Sequence, residues 1–347
     1  MAHEFLVKDI AFQAGLSIAT VDRVLNGRDG VRKQTASRVH AAIRELEKQQ
    51  AGVEIQGRKF GIDVIMEAPD RFTDAVRAAF ESENATFLPT VFRCRFHFAE
   101  SMRPQEIVQL LDRIRLRGTD GIVLKAPDVP DISAAVARLE AAGIPVVTLV
   151  TDLPNAPRTA YAGADNRAAG ETAAYLIGER FAGQSATVLV TLSSSRFRGE
   201  EEREIGFRRT IRERYPSVSL VEISEGLGRD AATGALAAQA LSANPAIDAV
   251  YSIGGGNRAV LAAFGAAGLR CAVFVAHDLD ATNLDLLKSR QIHYVLHHDL
   301  KTDVRTAFRA IMTRKATGQP NALAAASMPS LSAVEVITPY NIPAHAG

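Results

Sequence analysis

Val7, Ile10, Ala11 and Ala14 recur at helical spacing, and the run stops at Gly15, a residue able to take the left-handed conformation of a helix end. Ser17 then stands where a capping hydroxyl belongs. The next run, with Ala19, Val21, Val24 and Leu25, predicts a second helix ending at Asn26-Gly27. After a glycine-containing loop, Val39, Ile43 and Leu46 predict a third amphipathic helix, so residues 5–48 read as three short helices.

From Gln49 to Lys59 the periodicity fades in a polar stretch containing Gly52 and Gly57, which reads as a linker. From Phe60 onward short β-branched runs alternate with amphipathic helical segments. Gly61–Met66, Gly121–Leu124, Pro145–Val150, Thr187–Leu192, Ala249–Ile253 and Ala272–Ala276 are the clearest strands. Such alternation predicts an α/β domain of parallel sheets wound by right-handed crossovers, with binding groups at the carboxyl ends of the strands. The stretch is long for one sheet and suits two lobes.

The 347 residues, 47% hydrophobic and 23% charged, are enough to bury a large core in two or three folded units. Lys and Arg number 40 and Asp and Glu 39, so 40 − 39 leaves a net charge of +1 and any nucleic-acid footprint must be local. Cys94 and Cys271 match no metal or redox spacing and read as inert thiols of a reducing cytoplasm. No apolar leader and no run long enough to span a bilayer is visible, so the expectation is a soluble cytoplasmic protein with no membrane partner.

A helix-turn-helix presents the exposed face of its second helix to the major groove. That face carries Ile18, Ala19, Asp22 and Arg23. Arg23 is the natural donor to a guanine edge, while Ile18 and Ala19 offer apolar contact and Asp22 faces phosphates awkwardly or accepts from a cytosine amino group. Arg28, Arg32 and Lys33 in the following loop, with Lys8 and Ser17 at helix ends, are placed to meet phosphates. Thr20 and Asn26 complete the expected DNA-facing set. Pattern alone leaves open a structural three-helix module with a solvated basic loop, because the excess of basic over acidic residues up to residue 38 is slight.

Val7-Lys8-Asp9-Ile10-Ala11, then Ala14-Gly15-Leu16-Ser17-Ile18-Ala19-Thr20-Val21, then Arg23-Val24-Leu25-Asn26-Gly27, closely resemble the N-terminal signature of the lactose-repressor (LacI/GalR) family. The resemblance implies a transcriptional regulator, a repressor above all, that binds a near-palindromic operator as a homodimer or tetramer. Many members carry Ser where this chain has Asp22, which bears on base preference rather than fold. Members also follow the third helix with a Pro-Asn step and an Ala-Arg-x-Leu hinge helix whose Leu wedges into the minor groove. This chain has Gln49-Gln50-Ala51-Gly52-Val53-Glu54-Ile55-Gln56-Gly57-Arg58 instead, without Leu and with two glycines that disfavour helix. Either Val53 or Ile55 is a weaker wedge or the hinge works differently, and less operator bending than in the family is expected.

From about Phe60 to the C-terminus the chain is similar to the family's periplasmic-sugar-binding-protein-like effector domain, carried most clearly by Gly163-Ala164-Asp165-Asn166-Arg167-Ala168-Ala169-Gly170 and Arg203-Glu204-Ile205-Gly206-Phe207. The resemblance implies a ligand held between two lobes joined by three crossovers. It places the headpiece at 1–50, an atypical hinge at 51–59 and the effector domain at 60–347. The first lobe is expected at about 60–163 with 299–322, the second at about 164–298 with 323–347. Closure of the lobes by ligand would shift the headpieces and change operator affinity. The candidate ligand residues are Phe72, Asp152, Asp165, Arg203, Gly255, Asn257, Asp278 and His298, and the candidate effectors are a sugar, polyol or sugar acid. Phe72 stacks on a sugar ring or packs under its loop; Ser193–Ser195 cap the following helix or donate to ligand, capping being favoured.

Gly254-Gly255-Gly256-Asn257-Arg258-Ala259 fits G-x-G-x-x-A, and Asp278 follows Gly256 at dinucleotide-fingerprint spacing, which sustains an NAD-binding oxidoreductase as the alternative. No other catalytic motif is present, and the expectation is a non-enzyme without cofactor. His277-Asp278 and His297-His298-Asp299 raise a metal reading, but neighbours along a strand point to opposite faces, so none is expected.

Overall fold

The computed structural model describes residues 5–28, 31–55, 57–317 and 331–343. The chain divides into two compact units, Met1–Lys59 with Leu88–Val91, and Phe60–Phe87 with Phe92–Gly347.

In the first unit, α1 (Val7–Ala14), α2 (Ile18–Leu25) and α3 (Lys33–Ile55) enclose a small core of Ile10, Ala11, Ala14, Val21, Val39, Ala42 and Ile43. Gly15 closes α1 with φ 61°, and Ser17 Oγ caps α2 by accepting from the Thr20 amide at 3.2 Å. Arg38 donates to the Ala14 carbonyl at 2.8 Å and so ties α3 to the end of α1. The expected linker is shorter than the sequence implied: α3 continues through Gly52 to Ile55. One glycine costs a helix only about 1 kcal/mol, and Gln, Ala, Val, Glu and Ile around it are all compatible with one. The side chains of Val53 and Ile55, the alternatives for a hinge wedge, lie outside the described ones.

The second unit holds two sheets. The first lobe is built on β1 (Lys59–Glu67), β2 (Val91–Ala99), β3 (Gly121–Lys125), β4 (Val146–Leu149) and β5 (Ala160–Ala162), in the order β2-β1-β3-β4-β5, with α4 (Asp70–Asn84), α5 (Pro104–Arg117) and α6 (Pro130–Ala141). The second lobe carries α7 (Asn166–Phe181), β6 (Ala186–Thr191), α8 (Arg198–Arg214), β7 (Val218–Ile223), α9 (Asp230–Ala243), β8 (Ile247–Ser252), α10 (Asn257–Ala266), β9 (Val273–His277), α11 (Ala281–Lys288) and β10 (Tyr294–His297). After β10 the chain returns to the first lobe as α12 (Leu300–Thr317), which packs on α4, β4 and β5, and then adds β11 (Glu335–Ile337) to the second sheet. That sheet runs β11-β10-β9-β8-β6-β7 and is parallel except where β11 pairs antiparallel with β10. The crossing back expected near residue 322 lies outside the described residues.

Each sheet is covered on both faces, as the near-continuous apolar strands require. In the first lobe Ile65, Ile122 and Leu124 meet Ile107, Leu111, Ile132 and Val136 on one face, while on the other Phe92 stacks on Phe308 of α12 at 3.7 Å between centroids. In the second lobe Leu189, Val250 and Phe274 face Val260, Phe264 and Leu287, and Val188, Tyr251 and Val275 face Ile177, Phe207 and Ile211. The helices α7 and α8 cross on glycine. A Cβ at Gly170 would lie 1.9 Å from the Arg203 carbonyl oxygen, and one at Gly206 would lie 2.2 Å from that of Arg167. This backbone-to-backbone approach sets the position of Arg203.

Candidate functional site

On the headpiece, Lys8, Ser17, Ile18, Ala19, Arg23, Asn26, Arg28 and Arg32 are exposed, and Thr20 and Asp22 are half-buried. Ile18 is 58% exposed although it opens α2, a position at which burial would be expected if it served only the core. Asp22 is engaged within its own helix: it accepts from Asn26 Nδ2 at 2.8 Å and pairs with Arg28 at 3.1 Å. The residue that departs from the usual signature therefore holds two of the expected DNA-facing side chains.

Between the lobes of the second unit lies a cleft of about 820 Å³, part of it open to solvent. Its walls come from strand carboxyl ends, as parallel topology requires. Glu67 ends β1 and is followed by Pro69; Lys125 ends β3; Val150 and Thr151 follow β4; Ser193 follows β6; Ile253, Gly254 and Gly255 follow β8; His277 and Asp278 end β9. Phe72 and Arg71 from α4, Phe197, Glu200 and Arg203 around α8, and Leu227, Asp280 and Asn283 add to the lining.

Arg203 is 5% exposed, and its only protein hydrogen bond among the described residues runs from Nε to Asn166 Oδ1 at 2.8 Å. Asn166 Nδ2 donates in turn to the Val150 carbonyl at 3.2 Å and the Tyr161 hydroxyl at 3.0 Å. Val150 sits in the left-handed region at φ 67°, a strained setting for a β-branched residue, and is held there also by its own amide on Ala162. A guanidinium fixed by its Nε leaves its two terminal nitrogens to whatever enters the cleft.

Asp278 is also left-handed, at φ 64°, with its amide on the Leu296 carbonyl, so its carboxylate is turned by the backbone into the cleft. Behind it His298 is buried, with Nδ1 2.7 Å from Asp303 and Nε2 3.6 Å from Asp278. Burial opposes a charged ring, but the Asp303 hydrogen bond and the charges of Asp303 and Asp278 outweigh it and raise the His298 pKa. His277, whose Nε2 meets the Tyr251 hydroxyl at 2.9 Å, is held well below the ordinary histidine value by burial and by the Arg203 charge. Lys125 donates to the Glu67 carbonyl at 2.8 Å and lies 3.9 Å from the Phe197 ring centroid. Burial brings its ammonium down to about 8 against the opposing pull of Glu200, Glu67 and Asp278.

Of the eight expected ligand residues, Phe72, Arg203, Gly255 and Asp278 line this cleft. His298 backs Asp278. Asn257 is buried behind the wall, bonded to Ser252 and to Asn283 at 2.7 Å. Asp152 and Asp165 lie elsewhere, at a shallow hollow by the start of α7. Asp152 is held by Arg158, Thr148 and the Leu153 amide, and Asp165 caps α7 through the Ala168 amide at 3.0 Å. Ser193–Ser195 do not cap α8: Ser193 donates to Glu200, and Ser194 and Ser195 to Glu225. His277 and His298 diverge onto Tyr251 and Asp303, and among the described residues no three metal-ligating side chains converge. The sequence reading missed Glu67, Arg71, Lys125, Glu200 and Asp280, although the first and third stand at strand carboxyl ends where binding groups collect.

A helix-turn-helix headpiece carried on the same chain as a two-lobed periplasmic-binding-protein-like domain defines a DNA-binding regulator that answers to a small molecule. Residues 38–319 match the periplasmic binding protein domain, and residues 6–47 match the bacterial regulatory proteins of the lacI family. The chain belongs to that family of regulators. No curated protein sequence matches it. Among solved structures it is similar to GanP, a glucose-galactose binding protein from Geobacillus stearothermophilus, with 18% identity, a TM-score of 0.70, and coverage of 82% of this chain and 99% of that one. A solute binding protein from Burkholderia graminis in complex with D-arabinose gives 21% identity, a TM-score of 0.70, and coverage of 82% and 97%. The XylFII–LytSN complex gives 20%, 0.70, and coverage of 82% and 100%. These likenesses establish the fold. Neither the matched families nor these structures include a dinucleotide-dependent oxidoreductase. Among the described residues no helix is long and apolar enough to cross a membrane.

Proposed function

We propose that this chain is a cytoplasmic repressor that binds a near-palindromic operator as a homodimer and whose operator affinity is set by a sugar, polyol or sugar acid held between the lobes. One observation carries the ligand reading: a buried guanidinium, Arg203, with no carboxylate in salt-bridge distance among the described residues, lines the same cleft as the carboxylate of Asp278, which has only His298 behind it at 3.6 Å. A buried charge without a partner is costly, and vicinal hydroxyls satisfy both groups at once, accepting from the fork and donating to the carboxylate. Phe72 and Phe197 supply apolar surface for a ring face. The solute-binding proteins of like fold that hold glucose, galactose or arabinose support this chemistry.

The test is a thermal-shift screen of sugars, polyols and their acids, followed by operator binding with and without the compound that raises the melting temperature. Arg203→Ala and Asp278→Ala are expected to abolish the shift and leave ligand-free operator affinity intact. Retained response in both variants would remove this assignment, and stabilisation by nicotinamide cofactors alone would favour the oxidoreductase reading.

A further inference from the structure

Arg71 leaves the first turn of α4 in the first lobe and ends in the second. Its Nε donates to Asp280 Oδ2 at 2.9 Å and its Nη1 to the Gly228 carbonyl at 3.1 Å. The Asp280 side chain is buried, and its other oxygen accepts from the Asn283 amide at 2.8 Å, so the carboxylate is held by its own lobe as well as by Arg71. The remaining nitrogen, Nη2, lies over Gly255. A Cβ there would stand 2.1 Å from Nη2 and 3.3 Å from Cζ, and one at Gly228 would stand 3.4 Å from Nη2. Gly255 also holds φ 88° and Gly228 φ 64°. Loops after β7, β8 and β9 thus supply one acceptor each or bare backbone to a single cation from the opposite lobe. The glycine-rich turn that mimics a dinucleotide fingerprint is, in this fold, the seat of a guanidinium.

Arg71, Gly255 and Asp280 all line the cleft, so this bridge is part of its wall. We propose that Arg71 is a specificity-determining residue: by spanning the cleft it limits the ligand to single-ring size. A longer ligand has to unseat the guanidinium and leave Asp280 buried without its cation, whereas a one-ring ligand on Arg203 and Asp278 leaves the bridge in place. The size limit rests on reading the cleft as a ligand site; the bridge itself does not.

The experiment uses the full-length protein as wild type, Arg71→Ala and Arg71→Lys. In the first arm, hydrogen–deuterium exchange without any ligand follows the segments around 228, 255 and 280. Both variants are expected to take up deuterium there at least about threefold faster than wild type, with β6 and β8 unchanged; equal uptake would overturn the bridge. In the second arm, calorimetry compares D-arabinose, D-glucose, D-galactose and D-fructose with the disaccharides maltose and lactose. Wild type is expected to bind a monosaccharide and no disaccharide, and Arg71→Ala to shift the ratio of the two affinities toward the disaccharide by tenfold or more. An unchanged ratio would overturn the size limit. If no sugar binds any of the three proteins, the ligand class proposed above fails, and the first arm alone decides whether Arg71 joins the lobes.

Discussion

Asn166 joins the cleft to the strand ends of the opposite lobe: its oxygen accepts from Arg203 at 2.8 Å while its nitrogen donates to the carbonyl of Val150 at 3.2 Å. One buried amide therefore orients the Arg203 guanidinium at the cleft and pins the strained residue from which the chain leaves β4. Arg203→Lys keeps the charge and loses both the Nε donor and the fork. Its affinity for the monosaccharide found by screening is expected to fall by about 10- to 100-fold, the range of one or two charge-assisted hydrogen bonds. Operator affinity without sugar should stay within about threefold. Calorimetry and a fluorescence-anisotropy titration measure the two.

The crossing of α7 and α8 predicts a contrast between two glycines. Gly170→Ala drives a methyl into the Arg203 carbonyl and is expected to destabilise the domain by at least about 1–3 kcal/mol, displacing Arg203 as it does so. Gly265→Ala, at a helical position with open space beyond it, is expected to be neutral or to stabilise by up to about 1 kcal/mol. Urea denaturation decides; similar midpoints for the two variants would contradict the crossing.

His298 gives stability a pH dependence whose sign follows from its raised pKa. The folded form holds the proton more tightly than the unfolded chain, so the contribution is complete below the unfolded value of about 6.5 and is lost as pH rises through the folded pKa. The stability advantage of wild type over His298→Gln should therefore be largest near pH 5.5 and shrink toward pH 8.5. Melting temperatures across that range provide the check. An advantage that grew with pH would contradict a His298 charged against Asp303.

Asp22 predicts a gain rather than a loss. Its pairing with Arg28 is open to solvent on both sides and weak. Asp22→Ala removes a negative charge beside the phosphates and frees Arg28, so DNA affinity at low salt should rise several-fold. The slope of log affinity against log salt should steepen by about one. Anisotropy titrations at several salt concentrations would reveal an unchanged slope if Arg28 has no phosphate within reach.

Ser17 is the side-chain N-cap of α2, accepting from the Thr20 amide. Ser17→Ala is expected to cost about 1 kcal/mol of headpiece stability and to weaken operator binding through a frayed recognition helix. Circular dichroism during melting and operator titration measure the two effects.

Much of this was legible in the sequence because local rules and tertiary packing agree. Gly15, Ser17 and Asn26-Gly27 punctuate the headpiece helices through local backbone chemistry, and six buried strands announced themselves as apolar runs. The strands overlooked were those with mixed faces or few residues. In β2 the polar Arg93, Arg95 and His97 alternate with Phe92, Cys94, Phe96 and Phe98, and β5 and β11 have three residues each. In the cleft, Arg203 and Asp278 were readable from motif and strand end. Arg71 was not, because its partners lie 157 and 209 positions away and only the closed fold brings them together. Asp152 and Asp165 were misplaced for a related reason: a carboxylate near a helix start looks alike in sequence whether it awaits a ligand or caps the helix.

The return of the chain through α12 and β11 also orders its biosynthesis. The aromatic stack of the first lobe lacks Phe308 until that residue has been made, and the sheet of the second lacks its antiparallel edge until the ribosome has passed residue 337. Neither half can mature as an independent N-terminal fragment during translation. The three headpiece helices, by contrast, are all made once Ile55 has been added, long before either lobe has its full set of elements.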